Sequence, residues 1–151
     1  MSTSELQKTS ALYPFHLAFP VNNLEESRHF YGTILACPEG RSSAEWIDFN
    51  LYGHQIVAHL VNESKSQDQD CSLVDGQQVP VRHFGLVLPY QEWLELAERL
   101  QKANMKFLIK PCVRFQGTPG AQSTFFIQDP SGNTLEFKSM SDPQALFTRF
   151  N

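Results

Sequence analysis

Three histidines and one glutamate are the residues of this chain whose types and placement could do chemistry. His16 stands in PFHLAFPV (14–21) and His83 in VRHFGLVL (81–88). His59 stands in HQIVAHLV (54–61) and Glu136 in TLEFKS (134–139). Each stretch has strand length and strand composition, so each residue rides on a strand. Imidazoles and a carboxylate gathered inside a protein are costly to bury without partners, and a metal ion supplies one. Two histidines and a carboxylate on one side of a metal form the facial set of non-haem iron(II) oxygenases, with coordination positions left open. Mn²⁺, Ni²⁺, Co²⁺ and Zn²⁺ suit the same donors, so ligand type alone does not choose the metal. His16, His83 and Glu136 are the expected ligands. His59 is either a fourth ligand or an acid–base group beside the metal, since imidazole titrates near neutral pH.

What must position these residues is a repeated unit. The first strand of each copy carries a histidine, His16 or His83. A helix pattern follows, NLEESRHFYGTIL (23–35) in the first copy and YQEWLELAERLQKA (90–103) in the second. Asn22 or Asn23 is the expected N-cap of the first helix, with Glu25 and Glu26 in its first turn where the helix dipole favours them. The last strand of each copy carries His59 or Glu136, which makes His59 the expected counterpart of Glu136. EWIDFNLY (45–52) is a strand with Ile47, Phe49 and Leu51 on one face and Trp46, Asp48 and Asn50 on the other. The fold class is therefore α+β, two strand–helix–three-strand modules making a half-open curved sheet. One domain spans 1–151: module one at about 14–62, a polar linker or flap at 63–80, module two at about 81–140 and a tail at 141–151. Residues 1–12 are polar and expected to fray. Leu146, Phe147 and Phe150 are expected to dock the tail.

Alternation places His16, His59, His83 and Glu136 on one face of their strands, expected to line the concave inside. Trp46, Asp48 and Asn50, with Thr124 and Phe126, are expected on that same surface, Trp46, Asn50 and Phe126 as substrate-binding residues. The spacing from His59 to Glu136 is ten residues longer than that from His16 to His83. The extra residues are assigned to a loop at 109–122, following a short strand Met105 to Lys110. Arg114 and Gln116 in that loop either bind an anionic or polar substrate or are solvated loop residues; Arg41 and Tyr31 are weaker candidates of the same kind. His29 on the first helix and His54 in a turn read as structural. Asp129-Pro130-Ser131-Gly132-Asn133 is strong turn chemistry leading into the last strand.

The bulk composition narrows the class. The chain has 151 residues, 41% hydrophobic, 19% charged and 12% aromatic, as in ordinary globular domains. A formal net charge of −4 argues against a nucleic-acid binder. No apolar run approaches the ~20 residues of a membrane span, and the polar N-terminus lacks the apolar stretch of a signal peptide. Three cysteines with no close pair give neither a disulfide framework nor a thiolate zinc site, and a reducing cytoplasm is the expected setting.

FHLAFPVNNLEESRHFYGTIL, RHFGLVL and FFIQDPSGNTLEF together resemble the vicinal oxygen chelate superfamily, which includes glyoxalase I, bleomycin- and fosfomycin-resistance proteins and extradiol dioxygenases. The last segment is similar to that superfamily's DPDGN-x-hydrophobic-E ending. The resemblance implies two βαβββ modules, a divalent metal on His16, His83 and Glu136, and a homodimer in which modules of two chains complete each site. It puts His59 at the remaining ligand position, a proton-shuttling glutamate in glyoxalase I, so a glyoxalase reaction is in doubt. His, His and Glu with no second carboxylate look most like the extradiol dioxygenase site, where iron(II) chelates a catecholate. His59 would then be the acid–base catalyst. A metal-dependent lyase, isomerase or thiol transferase, and a non-catalytic binding protein, are the other readings the resemblance allows.

Overall fold

The computed structural model describes residues 12–62 and 70–149. The expected fraying of the N-terminus, most of which is 1–11, and the docking of Phe150 lie outside the described residues. The first module runs β1 (His16–Val21), a helix, β2 (Glu39–Ser42), β3 (Trp46–Leu51) and β4 (His54–Leu60). The second runs β7 (Phe84–Val87), α2 (Tyr90–Lys102), β8 (Phe107–Arg114), β9 (Gln122–Gln128) and β10 (Thr134–Met140). Each module forms a four-stranded sheet in the same order, β1-β4-β3-β2 and β7-β10-β9-β8, with the first strand parallel to the last. The expected α+β fold with two βαβββ modules is what the chain adopts.

The first helix begins as α1 (Leu24–Ser27), capped by the Asn23 side chain, which accepts from the Glu26 amide. It continues with π-helical winding through Arg28–Ile34, which buries Phe30 and Tyr31. Helix α2 turns Trp93, Leu96, Ala97 and Leu100 inward at helical spacing. The Trp93 indole N–H donates to the Phe137 carbonyl at 2.9 Å, which ties α2 to β10.

Both modules turn their apolar sheet faces into one shared core. Phe19 of β1 lies 5.3 Å from Phe84 of β7, ring to ring, and Phe49, Phe125 and Phe137 fill the layer around them. The 129–133 turn closes the seam. Asp129 accepts from the Tyr31 hydroxyl at 2.8 Å, Ser131 accepts from the Asn22 amide at 2.9 Å, and Asn133 donates to the Pro20 carbonyl at 2.8 Å. A turn that reads in sequence only as a strand connector therefore also clasps the two modules.

Three expectations need correction, and one strand carries no sequence signal. Residues 71–80 are not a plain linker: β5 (Cys71–Val74) and β6 (Gln77–Pro80) form a hairpin about Asp75-Gly76. Both residues have positive φ, as this tight turn requires. The supposed loop at 109–122 is mostly strand. β8 continues through Pro111 to Arg114 with register shifts, because an edge strand tolerates a proline. Strand β2, EGRS, is hidden in the sequence by its complete exposure, which leaves no hydrophobic alternation to read. The tail forms a 3-10 turn at Pro143–Phe147 that docks through buried Ala145, while Phe147 is 91% exposed.

Candidate metal and substrate site

Glu136 is the centre of the polar cluster in module two. It sits on β10 between Gly85 of β7 and Phe126 of β9. Its side chain is 9% exposed and its two oxygens have different partners. Oε1 accepts from the Thr124 hydroxyl at 2.7 Å and from the Arg114 guanidinium at 3.1 Å. Oε2 faces His83 Nε2 at 3.2 Å. The other ring nitrogen of His83, Nδ1, lies 2.7 Å from the Pro80 carbonyl. A carbonyl only accepts, so Nδ1 carries a proton and Nε2 is the nitrogen turned to the site.

The titration behaviour follows from these contacts. Burial pushes the Glu136 carboxyl up, but bonds from His83 and Thr124 and the charges of Lys138 and Arg114 outweigh it. The group lies below its ordinary value. The Glu136 bond raises the His83 imidazole above its ordinary value, against burial and with help from the Pro80 carbonyl. When the His83 ring is protonated, that proton lies between Nε2 and Oε2. Those are the two atoms a divalent metal would take when it displaces that proton. The donor set therefore fits two of the three ligands of a two-histidine, one-carboxylate centre.

Phe126 forms the floor. It is fully buried, with the Arg114 guanidinium 5.1 Å above its ring and the His83 ring 5.3 Å away, edge to face. Arg114 ends β8 and is 4% exposed, and its Nε has no hydrogen-bond partner. The β5–β6 hairpin borders this cluster. Asp75 accepts from the Phe115 amide at 3.0 Å, and Gln77 donates to Cys112 Sγ at 3.7 Å.

Module one carries a different cluster on the matching face. His16 Nδ1 lies 2.8 Å from Gln55 Oε1, and Gln55 Nε2 donates to Asp48 at 3.2 Å. Asp48 also accepts from Arg41 at 3.3 Å, and the Arg41 guanidinium lies 5.8 Å from the Trp46 ring. The Asn50 side chain is used in the turn, accepting from the Gly53 amide at 2.6 Å. His59 is exposed, paired across the ladder with Trp46 and Pro20. Gln116 is exposed in the loop after β8.

The register corrects the expected equivalence of His59 and Glu136. Ala18 pairs with Val57 in module one as Gly85 pairs with Glu136 in module two. Val57 is the counterpart of Glu136, and His59 falls two residues on, at the counterpart of Lys138. A one-chain cup holding all the candidates is also not what forms. Among the described residues no three His, Cys, Asp or Glu side chains come together as a metal-holding group. The cause is the shared core. Phe19 and Phe84 face inward, so His16 and His83, on the opposite strand faces, are turned away from it. Sequence reading misses the role of Gln55 and Thr124 as partners of the candidate ligands. The available signal is the parallel pairing of first and last strands, which sets Gln55 opposite His16.

The comparisons with known proteins agree with this fold. Residues 14–137 match the Glyoxalase/Bleomycin resistance protein/Dioxygenase superfamily, a span that includes His16, His83 and Glu136. A glyoxalase/bleomycin resistance protein/dioxygenase from Alicyclobacillus acidocaldarius is 32% identical, with a TM-score of 0.76. The match covers 89% of this chain and 96% of that one. A glyoxalase/dioxygenase from Nostoc punctiforme shares the fold at 18% identity and a TM-score of 0.63, covering 89% and 99% of the two chains. The genomically encoded fosfomycin resistance protein FosX of Listeria monocytogenes does so at 16% identity and 0.62, covering 91% and 99%. No curated protein matches the chain. The chain belongs to the glyoxalase/bleomycin resistance protein/dioxygenase superfamily, the vicinal oxygen chelate proteins.

Proposed function

We propose that this protein is a metal-dependent enzyme acting on a small substrate with two adjacent oxygens. His83 and Glu136 of one copy and His16 of a second copy would hold the metal in a homodimer. The observation that carries this reading is the pair of converging ligand atoms, His83 Nε2 and Glu136 Oε2 at 3.2 Å, with the third histidine on a separate exposed face of the same chain. β1 and β7 are edge strands of their sheets, which gives a second copy strands to join.

Iron(II) is the favoured metal, with Mn, Ni, Co or Zn able to use the same donors. When bound, it supplies Lewis acidity toward the two substrate oxygens and, as iron, the redox capacity that extradiol cleavage requires. Val57 at the fourth position leaves the metal three protein ligands and no second carboxylate, which favours the dioxygenase reading over a glyoxalase reaction. The residues of the chain do the rest. Arg114 and Thr124 hold Oε1 of Glu136, which would leave Oε2 as the oxygen available to a metal. Phe126 lies beneath the cluster, and Pro80 at the end of β6 holds the His83 ring. His59, with Trp46, Asn50 and Gln116, is assigned to the substrate side, His59 as acid–base group. The three free cysteines suit a reducing cytoplasm.

The test is metal content after anaerobic purification, followed by O₂ uptake with a panel of catechols. About one iron per chain with catechol-dependent O₂ uptake supports the reading. Bound nickel, manganese or zinc without O₂ uptake moves it to lyase, isomerase or transferase chemistry. No metal after reconstitution leaves a small-molecule binding protein.

A further inference from the structure

The His16 ring is held from behind by a relay that its counterpart in module two lacks. Asp48, 7% exposed, is a carboxylate and offers only acceptors. The end of the Gln55 amide facing it at 3.2 Å must therefore be the NH₂ group. This fixes Oε1 as the end facing His16, and Oε1 accepts only. His16 Nδ1, 2.8 Å away, must then carry a proton. Arg41 on Asp48 keeps the carboxylate turned along this line. The direction of every bond follows from donor and acceptor chemistry, with no choice of amide flip left open.

We infer that Gln55, oriented by Asp48 and Arg41, is a positioning residue that locks neutral His16 in the Nδ1–H tautomer and leaves Nε2 as its ligating nitrogen. Free histidine prefers the opposite tautomer. His83 reaches the same state by another route, with the Pro80 carbonyl on Nδ1. The two modules have thus arrived at Nε2 ligation through different outer partners, one a side-chain relay and one a backbone carbonyl. An outer partner on the non-ligating nitrogen orients the ring and raises its basicity, and its loss typically costs about 10–100-fold in metal affinity. The inference rests on the proposed role of His16, but the tautomer itself does not.

Nitrogen-15 NMR of the metal-free protein reads the tautomer directly, with His16 assigned from the spectrum of His16→Ala. Wild-type His16 is expected as Nδ1–H once its ring is neutral. Gln55→Met, which keeps the side-chain length but removes the acceptor, is expected to shift it toward Nε2–H and to weaken metal binding by about 10–100-fold in a calorimetric titration. Gln55→Glu combined with Asp48→Asn, in which an amide donor at position 48 faces a carboxylate at position 55, retains the acceptor on Nδ1 and is expected to keep both properties near wild type. An Nε2–H tautomer in the wild type overturns the inference, as does Gln55→Met with unchanged tautomer. If Gln55→Met changes the tautomer but not the affinity while His16→Ala abolishes binding, the relay does not govern ligation and the inference fails alone. If His16→Ala leaves binding intact, the ligand assignment beneath it has failed instead.

Discussion

Gly85 lies so close to Glu136 that a Cβ on it would stand 1.6 Å from the Glu136 carbonyl oxygen. No side chain fits there, because the obstacle is backbone rather than the end of a flexible group. The glycine lets β7 approach β10 closely at the point where His83 and Glu136 meet, and a larger residue must push the strands apart. Gly85→Ala is expected to destabilise the fold by about 1–3 kcal/mol through overpacking, and to weaken metal binding by lengthening the His83–Glu136 gap. Urea unfolding and a metal titration of the variant check both. Wild-type stability would mean that the strands slide apart without cost.

The partners of Glu136 should be energetically coupled. Arg114 and Glu136 are 5% and 9% exposed at their side chains, so their bond is shielded from water. A double-mutant cycle with Arg114→Met and Glu136→Gln is expected to give a coupling of about 1–3 kcal/mol. Additive effects would contradict the bond as drawn.

The clasp between modules makes a separate prediction. Tyr31 is fully buried with its hydroxyl on Asp129, and burial, reinforced by that carboxylate, raises its phenol well above the ordinary value. Tyr31→Phe keeps the ring in the core and removes only the bond. The expected loss is about 1.5–3 kcal/mol, the range for a hydrogen bond to a charged group, measured by denaturant unfolding. No loss would mean that Asn133 and the Ser131 amide satisfy Asp129 without it.

Much of this arrangement is legible in the amino-acid sequence, and the parts that are not share a cause. The alternation in EWIDFNLY assigns Ile47, Phe49 and Leu51 to the core correctly, because one face of β3 is buried. The repeat places His16 on β1 and Glu136 on β10, while His83 falls one residue before β7 rather than on it. Strand β2 is invisible because it buries nothing, and β8 is cut short because Pro111 reads as a break. His59 matches Glu136 in sequence because alignment of two diverged repeats tolerates a two-residue slip that keeps the strand face. Only the ladder pairing of Val57 with Ala18 resolves it. The separation of His16 from His83 depends on how the modules pack, which no local pattern encodes.

Acidity should act on stability and on metal binding in opposite directions. The raised His83 imidazole contributes stability that is full below its unfolded value and is lost as pH rises through the folded one. The lowered Glu136 carboxyl contributes stability that is present above its unfolded value and is lost as pH falls through the folded one. In the metal-free protein, the stability difference between wild type and His83→Ala is therefore expected to be largest at about pH 5–6 and to shrink at higher pH. Metal affinity should instead fall as the solution is acidified through the His83 range, since the proton competes for Nε2. Thermal melts and metal titrations across pH check the two trends. A stability difference that grows above neutrality would contradict the pairing.

The measurement that tests the central proposal most directly is metal binding by a mixed dimer of His16→Ala and Glu136→Ala chains. If sites are shared between copies, one of the two sites in the mixed dimer has all three ligands intact. The expected result is no tight binding by either variant alone and about one metal per two chains in the purified mixed dimer. No metal bound by the mixture, with wild-type protein binding one per chain, would place all the ligands within a single chain. Full binding by either variant alone would remove that residue from the site.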